Sequence, residues 1–273
     1  MRLKTLVENT SISRNYKHKH GISFFIETNH HKILFDLGQN GLFLENAKKM
    51  GVDITSIDTV IISHGHIDHA GALKIFLQNN QFAKIYIREN AFDKHYTKAF
   101  GIKVNIGIDD SIKHHSQVVL TGKRTVIDDE LTLFSDIETK ELYSTSNGSL
   151  YIKIEDYYHL DDFSHEQSLL ISEEGKKILV SGCSHAGIVN IKDKAEQIIN
   201  GKLSHIIAGF HLYNPVSRKT ESDILVKGIA ERLNDNFTQY YTCHCTGKKA
   251  FTTLKKVLSD KITYLSTGSK SEI

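Results

Sequence analysis

Apolar and polar positions in the first third of the chain predict strands separated by short helices. Runs with a period of two or rich in β-branched residues predict strands, and apolar positions three or four apart predict helices. The predicted strands cover residues 3–7, 21–27, 32–36 and 58–62, and the predicted helices cover residues 41–50 and begin again at His69. The strands at 21–27 and 32–36 are expected to pair as a hairpin.

The last third of the chain alternates strands and helices more regularly. Strands are predicted at residues 168–172, 177–181, 204–208, 239–242 and 262–265, and helices at 191–200, 221–233 and 247–258. Three of these strands are followed by histidine-bearing segments: G-C-S-H at 182–185, G-F-H-L at 209–212 and C-H-C-T-G at 243–247. Because the carboxyl ends of strands in an α/β sheet meet at one edge, we expect these segments to converge there.

The middle of the chain has a weaker pattern. A strand is predicted at residues 83–88, a helix at 91–100, and several strands joined by turns over 101–160. No linker rich in Gly, Ser or Pro and no repeat interrupts the sequence, so we expect a single domain over residues 1–273. Within it, residues 90–160 are expected to form a variable region and a candidate substrate lid.

Composition narrows the class of protein. The net charge of +2 and the absence of a basic stripe give no reason to expect nucleic acid as a partner. No apolar run is long enough for a membrane span, and the N-terminal segment lacks the apolar core of a signal peptide. The three cysteines are too few for a disulfide framework. We therefore expect a cytoplasmic protein that acts on a small molecule; composition does not predict its oligomeric state.

The chemistry-bearing feature is the run S-H-G-H-I-D-H at residues 63–69, which follows the predicted strand at 58–62 directly. Imidazole and carboxylate are ligands for zinc and similar metals. His64 and His66 are placed to hold one metal, and Asp68 and His69 to hold a second. A further histidine from a distant strand end would complete each set and leave room for water. Two metals that share a hydroxide generate a nucleophile at neutral pH.

This run, together with I-L-F-D-L-G at residues 33–38, resembles the metallo-β-lactamase superfamily. The resemblance implies an α/β (α+β) fold, a four-layer αβ/βα sandwich with a dinuclear site at one edge between the sheets. It implies His64, His66, Asp68 and His69 as metal ligands. It also implies that Asp36 orients the histidine-rich turn from behind.

The resemblance leaves the remaining ligands open. His165 precedes a strand, as the third ligand of the first metal does in the family, and Cys183 stands where the family commonly has a bridging aspartate. His185 is an alternative to either residue, or a residue that transfers protons. His211 and His244 both fit the last ligand, and the other of the two is expected to contact substrate.

Other histidines and cysteines are expected to have lesser roles. We expect surface positions for His18, His20, His30 and His31, candidate lid positions for His95, His114 and His115, and structural roles for His159, His205, Cys243 and Cys245.

Four segments narrow the resemblance: D-D-F-S-H-E-Q, G-C-S-H-A-G, A-G-F-H-L and C-H-C-T-G. They resemble the branch called metal-dependent hydrolases, which includes 7,8-dihydropterin-6-methyl-4-(β-D-ribofuranosyl)aminobenzene 5′-phosphate synthase. We expect a hydrolase that uses two divalent ions, zinc first and manganese or iron as alternatives, on a phosphoester, lactone or thioester. Asp68 and His185 are its candidate proton-transfer residues. The alternatives are a transferase that joins a dihydropterin to a ribofuranosylaminobenzene phosphate, and a non-catalytic metal- or ligand-binding module.

Overall fold

A computed structural model describes residues 1–273, which form six α-helices and twenty strands. The helices are α1 (Leu42–Lys49), α2 (Ile67–Ala70), α3 (Leu73–Asn79), α4 (Ile188–Ile199), α5 (Asp223–Leu233) and α6 (Lys248–Leu258). The first ten strands are β1 (Arg2–Val7), β2 (Ser23–Glu27), β3 (Lys32–Phe35), β4 (Thr59–Ile61), β5 (Lys84–Arg88), β6 (Lys94–Ala99), β7 (Ile102–Asn105), β8 (Val118–Thr121), β9 (Arg124–Val126) and β10 (Leu131–Phe134). The other ten are β11 (Leu150–Ile154), β12 (Tyr157–Leu160), β13 (Ser168–Glu173), β14 (Lys176–Val180), β15 (His205–Gly209), β16 (Tyr213–Asn214), β17 (Lys219–Thr220), β18 (Gln239–Cys243), β19 (Ile262–Tyr264) and β20 (Lys270–Glu272).

Two seven-stranded sheets form the body of the protein. The first has the order β20-β1-β2-β3-β4-β5-β8, and the second has the order β19-β18-β15-β14-β13-β10-β9. Strands β3, β4, β5 and β8 run parallel in the first sheet, and strands β14, β15, β18 and β19 run parallel in the second. Parallel strands are usually covered on both faces.

Three separate apolar clusters show how the layers pack. The central cluster of 17 buried residues joins the two sheets, and clusters of 24 and 22 join each sheet to its helices. Alternation along the strands produces this division. Phe24 and Ile178 point into the central cluster, while their neighbours Phe25 and Leu179 point to the helices. The order is helices, sheet, sheet, helices, which confirms the predicted four-layer αβ/βα sandwich.

The prediction of a helix at residues 91–100 is wrong. A short 3-10 turn over Glu89–Phe92 leads into strand β6, which belongs to a third sheet with the order β12-β11-β6-β7. Strand β6 pairs with β11, more than fifty residues away in the sequence, and with its neighbour β7. The local sequence does not reveal the long-range partner, and pairing with it overrides the helical composition of the segment.

The parallel strands place the polar segments at one edge of the sandwich. Asp36 follows β3, the run at 63–69 follows β4, Cys183 follows β14, His211 follows β15 and His244 follows β18. All five segments therefore lie at carboxyl ends of strands, where α/β folds build their sites.

None of the helices has the length and apolar character that crossing a membrane requires.

Candidate metal centre

The histidine-rich turn depends on two glycines that allow close approach of neighbouring segments. A Cβ atom on Gly65 would collide with the carbonyl oxygen of Ala91, and one on Gly182 would collide with the hydroxyl of Ser63. After Gly65 the backbone of His66 is extended, and helix α2 begins at the next residue. Glycine is the residue that permits such backbone contacts. The histidine-rich turn can therefore pack directly against the 3-10 turn at Glu89–Phe92 and against the segment that carries Cys183.

Asp36 lies fully buried behind this turn and binds it through both carboxylate oxygens. Its Oδ1 accepts a 2.7 Å hydrogen bond from the backbone N–H of Ser63, and its Oδ2 accepts one of 2.7 Å from the Ser63 hydroxyl. Nδ1 of His69 donates to the same Oδ2 at 2.7 Å. The proton on Nδ1 leaves Nε2 of His69 as the ring atom that faces the centre.

Three more histidines are held in the same tautomer by a neutral oxygen that accepts from Nδ1. The pairs are His64 with Ser63 Oγ at 2.8 Å, His185 with Asn147 Oδ1 at 3.1 Å and His244 with Asn9 Oδ1 at 2.8 Å. Each asparagine also donates from Nδ2 to the carbonyl oxygen of the same histidine, at 2.9 Å from Asn147 and 3.3 Å from Asn9. Both rings are thus fixed in position, and Nε2 of each is free to bind a cation.

Cys183 lies where two groups of these histidines meet. Its Sγ forms one group with His64 and His185 and another with His69 and His244, and the ligand atoms within each group lie within 4.8 Å of one another. The distance from Sγ to Nε2 of His69 is 3.2 Å. Cys183 would therefore be within reach of an ion held by either group.

Asp68 completes the second group. Its Oδ2 lies 3.2 Å from Nε2 of His244 and 3.5 Å from Nε2 of His69. It also lies 3.2 Å from Nε2 of His20, which is half-buried at the site and is not the surface residue that we expected. Burial opposes the charge on Asp68, but the neighbouring imidazoles, His69 foremost, hold the pKa of this carboxyl well below its usual range. The carboxylate is therefore ionised.

The donor atoms fit divalent metal ions. Burial, followed by the neighbouring imidazoles, lowers the pKa of His64, His66 and His185, so that these rings are neutral. Their Nε2 atoms are buried and have no hydrogen-bond partner. Orphaned buried acceptors of this kind are costly unless something binds them. A neutral imidazole set with one thiol and one carboxylate is a donor set for zinc, iron or manganese.

His165 has the opposite tautomer from the other site histidines. Its Nδ1 accepts a 3.0 Å hydrogen bond from the backbone N–H of Gly65, so the ring proton of the neutral side chain is on Nε2. That Nε2 lies 3.3 Å from Oδ2 of Asp161, which also accepts from Nδ1 of His95 at 2.9 Å. His95 is fully buried here, not on the surface of a lid. His165 also forms a group with His66, His95 and Asp161 whose ligand atoms all lie within 4.8 Å of one another, so its role as a ligand stays a prediction.

His211 and His244 are both brought to the centre, but differently. Nε2 of His244 faces Asp68, whereas neither ring nitrogen of His211 has a hydrogen-bond partner. The His211 ring packs against His185 with centroids 4.2 Å apart, and its backbone N–H donates to Sγ of Cys245 at 3.2 Å. His211 lines the cleft, and it forms a group with Cys183 and Cys245 whose ligand atoms lie within 4.8 Å of one another.

Left-handed backbone conformations concentrate at the same edge. Asp36, Ser184, His211 and His244 have φ values of 56°, 60°, 50° and 51°. Such conformations cost free energy for residues other than glycine and cluster at functional sites. Four of the five strand ends therefore share this strain.

A cleft of about 810 Å³, including its open mouth, leads to the centre. Its floor carries Asp68, Cys183 and His211, and its walls include Ile106 and Leu150 from the third sheet. The region at residues 90–160 thus forms one wall of the cleft. A polar floor beneath apolar walls is typical of small-molecule sites.

The sequence reasoning missed several residues of the site: Asn9, His20, Asn147, Asp161 and Cys245. Asn9 and Asn147 contact histidines that lie 235 and 38 positions away, and Asp161 contacts His95, which lies 66 positions away. Only Cys245 had a local signal, because it flanks His244 in C-H-C, and that pattern alone is weak evidence for a site.

Comparisons with known proteins agree with this geometry. The family model described as the metallo-beta-lactamase superfamily matches residues 20–184, which include the first six residues predicted to hold metals. Across the solved structures, Tm1679, described as a metal-dependent hydrolase of the beta-lactamase superfamily, aligns with a TM-score of 0.85 at 27% identity. The alignment covers 100% of this chain and 99% of that one.

Two relatives come from Methanocaldococcus jannaschii. An uncharacterized protein is 28% identical over 93% of this chain and 94% of its own length. The 7,8-dihydropterin-6-methyl-4-(beta-D-ribofuranosyl)-aminobenzene-5′-phosphate synthase is 29% identical over 85% of this chain and 82% of its own length. The resemblance read from the sequence is therefore confirmed.

Proposed function

The chain belongs to the metallo-beta-lactamase superfamily, and from that premise we propose that it is a metal-dependent hydrolase of a small molecule. The observation that carries the proposal is the tautomer set. Four histidines have Nδ1 held by an oxygen and Nε2 directed at Cys183 and Asp68. A merely structural cluster has no need to orient four rings in the same way.

Two divalent ions fit the two groups of donors, with zinc first and manganese or iron as alternatives. His64, His66 and His185 would hold the first ion, and Asp68, His69 and His244 would hold the second. Cys183 would serve both. Such a pair supplies an activated water at neutral pH and stabilises negative charge on the reacting oxygen. His66 is included because its buried Nε2 is free and its ring centroid lies 4.6 Å from that of His64.

The protein's own groups would orient the substrate and move its protons. The sequence pointed to Asp68 and His185 for proton transfer. Asn147 accepts a hydrogen bond from Nδ1 of His185, whereas neither ring nitrogen of His211 has a hydrogen-bond partner, and His211 lines the cleft. We assign His211 to the protonation of the leaving group and keep Asp68 as the acceptor of the proton from the attacking water.

The substrate is a phosphoester, a lactone or a thioester small enough for the cleft. The test is a screen of purified, metal-loaded protein against bis(p-nitrophenyl) phosphate, γ-lactones and acyl thioesters. The expected result is turnover of one class, lost when chelator removes the metal and restored by zinc or manganese. Equal, metal-independent background on all three classes would contradict a hydrolase.

A synthase is the second candidate, and the 29% identical relative is the observation that favours it. In that case the same centre would join a dihydropterin to a ribofuranosylaminobenzene phosphate. Formation of a joined product from the dihydropterin pyrophosphate, without hydrolysis of simple esters, would favour the synthase. The third alternative, a non-catalytic binding module, is disfavoured by the completeness of the donor set.

The surroundings fit a small-molecule enzyme of the cytoplasm. All three cysteines are free and buried, which suits a reducing compartment. The protein has no strongly basic face, and a small molecule is therefore a better candidate for its partner than a nucleic acid.

A further inference from the structure

A second, polar cavity lies beside the cleft and shares part of its wall. The two cavities have Ser146, Ser149 and Asn214 in common. The second cavity, which we call the polar annex, has a volume of about 930 Å³ including its open mouth. Its other side chains come from strands β6 and β11 of the third sheet and from the β16–β17 hairpin. A molecule bound in the cleft can therefore extend into the annex.

The walls of the annex are held together by hydrogen bonds. Nδ2 of Asn214 donates to the Ser149 hydroxyl at 3.3 Å, which joins the hairpin to the 3-10 turn at 145–149. Glu221 accepts from the hydroxyls of Ser144 and Thr145 at 2.7 and 2.9 Å. The annex is thus a shaped cavity between tied elements and not a gap between loose loops.

The charged groups of the annex favour an anion. Lys98 and Lys219 line it, and the ammonium group of neither forms an ion pair or a hydrogen bond within the protein. The one carboxylate in its wall, Glu221, is already occupied by the hydroxyl and backbone N–H groups of the turn. Two free ammonium groups above a polar floor suit a phosphate or a carboxylate group.

The floor adds neutral donors that have no partner within the protein. The hydroxyl groups of Tyr151, Ser217 and Thr220 all line the annex and form no hydrogen bond to another residue. Hydroxyl groups can complete the coordination of an oxyanion whose charge is met by lysines. The donor set is therefore larger than charge neutralisation alone requires.

We propose that the polar annex binds an anionic end group of the substrate, a phosphate monoester or a carboxylate, while the bond to be cleaved lies over the metal centre. The inference rests on the proposed function, because the annex is a subsite only if the cleft holds the reacting group. It narrows the substrate to a molecule with a reactive group, an apolar body against Ile106 and Leu150, and an anion at the far end.

Three probes that share a phenyl ring and differ in their end group test the proposal: phenylphosphonate, benzoate and neutral benzamide. Their binding to the metal-loaded chain is measured by calorimetry for the wild type, for Lys98→Ala/Lys219→Ala and for Lys94→Ala. Lys94 is exposed on the same strand as Lys98 but does not line the annex. Phenylphosphonate has a P–C bond that hydrolysis does not cleave. Binding of an anion by the metals alone would not depend on the two lysines.

We expect the double variant to bind phenylphosphonate at least about tenfold more weakly, because two charge-assisted contacts are lost. Its affinity for benzamide and its metal content should be unchanged. Lys94→Ala should match the wild type. An equal, lysine-dependent loss for benzoate identifies a carboxylate as the group. Anion binding that is indifferent to both lysines overturns the proposal. Lysine-dependent binding by a chain that hydrolyses nothing would refute the proposed function and leave the subsite in place.

Discussion

The backbone N–H of Gly65 donates a 3.0 Å hydrogen bond to Nδ1 of His165. This bond decides which nitrogen of His165 carries the proton, and it places that proton on the atom that a metal would need. His185, by contrast, donates from Nδ1 to Asn147 and leaves Nε2 free. The two histidines that the sequence offered for one role are therefore separated by their partners.

His165→Asn should keep both ions, because the asparagine oxygen can accept from Gly65 in place of Nδ1. His185→Asn should lose one ion of the two, since His185 forms a group of possible ligands with Cys183 and His64. Metal content per chain by mass spectrometry checks both variants. The opposite result, with the loss in His165→Asn alone, would restore His165 as the ligand.

The two candidates for the last ligand are separated in the same way. His244→Asn should lose one ion, because Nε2 of His244 lies 3.2 Å from Asp68 and groups with Cys183. His211→Asn should keep both ions and lower kcat by about a hundredfold or more, as expected for loss of a proton donor. Paired metal analysis and steady-state kinetics decide the matter; an ion lost from His211→Asn would reverse the assignment.

Asp36→Asn should weaken metal binding by about ten- to a hundredfold without unfolding the protein, because the residue sets the tautomer of His69 from outside the centre. Competition with a chromophoric chelator measures the change. Asp58→Asn is the matched control, since Asp58 binds His31 at 3.1 Å far from the centre. An affinity for metal that is the same in both variants would contradict the role of Asp36 in orienting His69.

Metal binding should release protons and strengthen as the pH rises. Burial opposes protonation of His69, but Asp68 and Asp36 raise its pKa to about 9. Burial raises the pKa of the Cys183 thiol as well. Below pH 9 an ion must therefore displace the Nε2 proton of His69 and the thiol proton, so that affinity falls as pH falls. Calorimetry in buffers of different ionisation enthalpy should count about two protons at pH 7; no release would contradict these protonation states.

The sequence predicts most of the framework because its signals are local. The run at 63–69, the aspartate in I-L-F-D-L-G and the regular alternation of the last third all stand within short windows. Each of these predictions corresponds to an element or turn in the structure. Period and turn composition are properties of neighbouring residues, which a single sequence contains in full.

The parts that sequence reasoning missed depend on distant pairing. The segment of strand β6 has the local composition of a helix, and it forms a strand because it pairs with the distant strand β11. The choice between His165 and His185 depends on Gly65 and Asn147, which lie 100 and 38 positions away from their partners. A pattern of residue types contains no information on which nitrogen faces the centre, because that depends on the hydrogen-bond partner of the other nitrogen.

The central claim is a pair of metal ions that share the sulfur of Cys183, and the metal content of Cys183→Ser tests it most directly. Purified wild-type protein, loaded with zinc and desalted, should hold about two ions per chain. Cys183→Ser should weaken both positions and hold clearly less than one, while the control Cys243→Ser, a buried thiol outside the centre, should still hold two. Two ions retained in Cys183→Ser, or none bound by the wild type, would contradict the account.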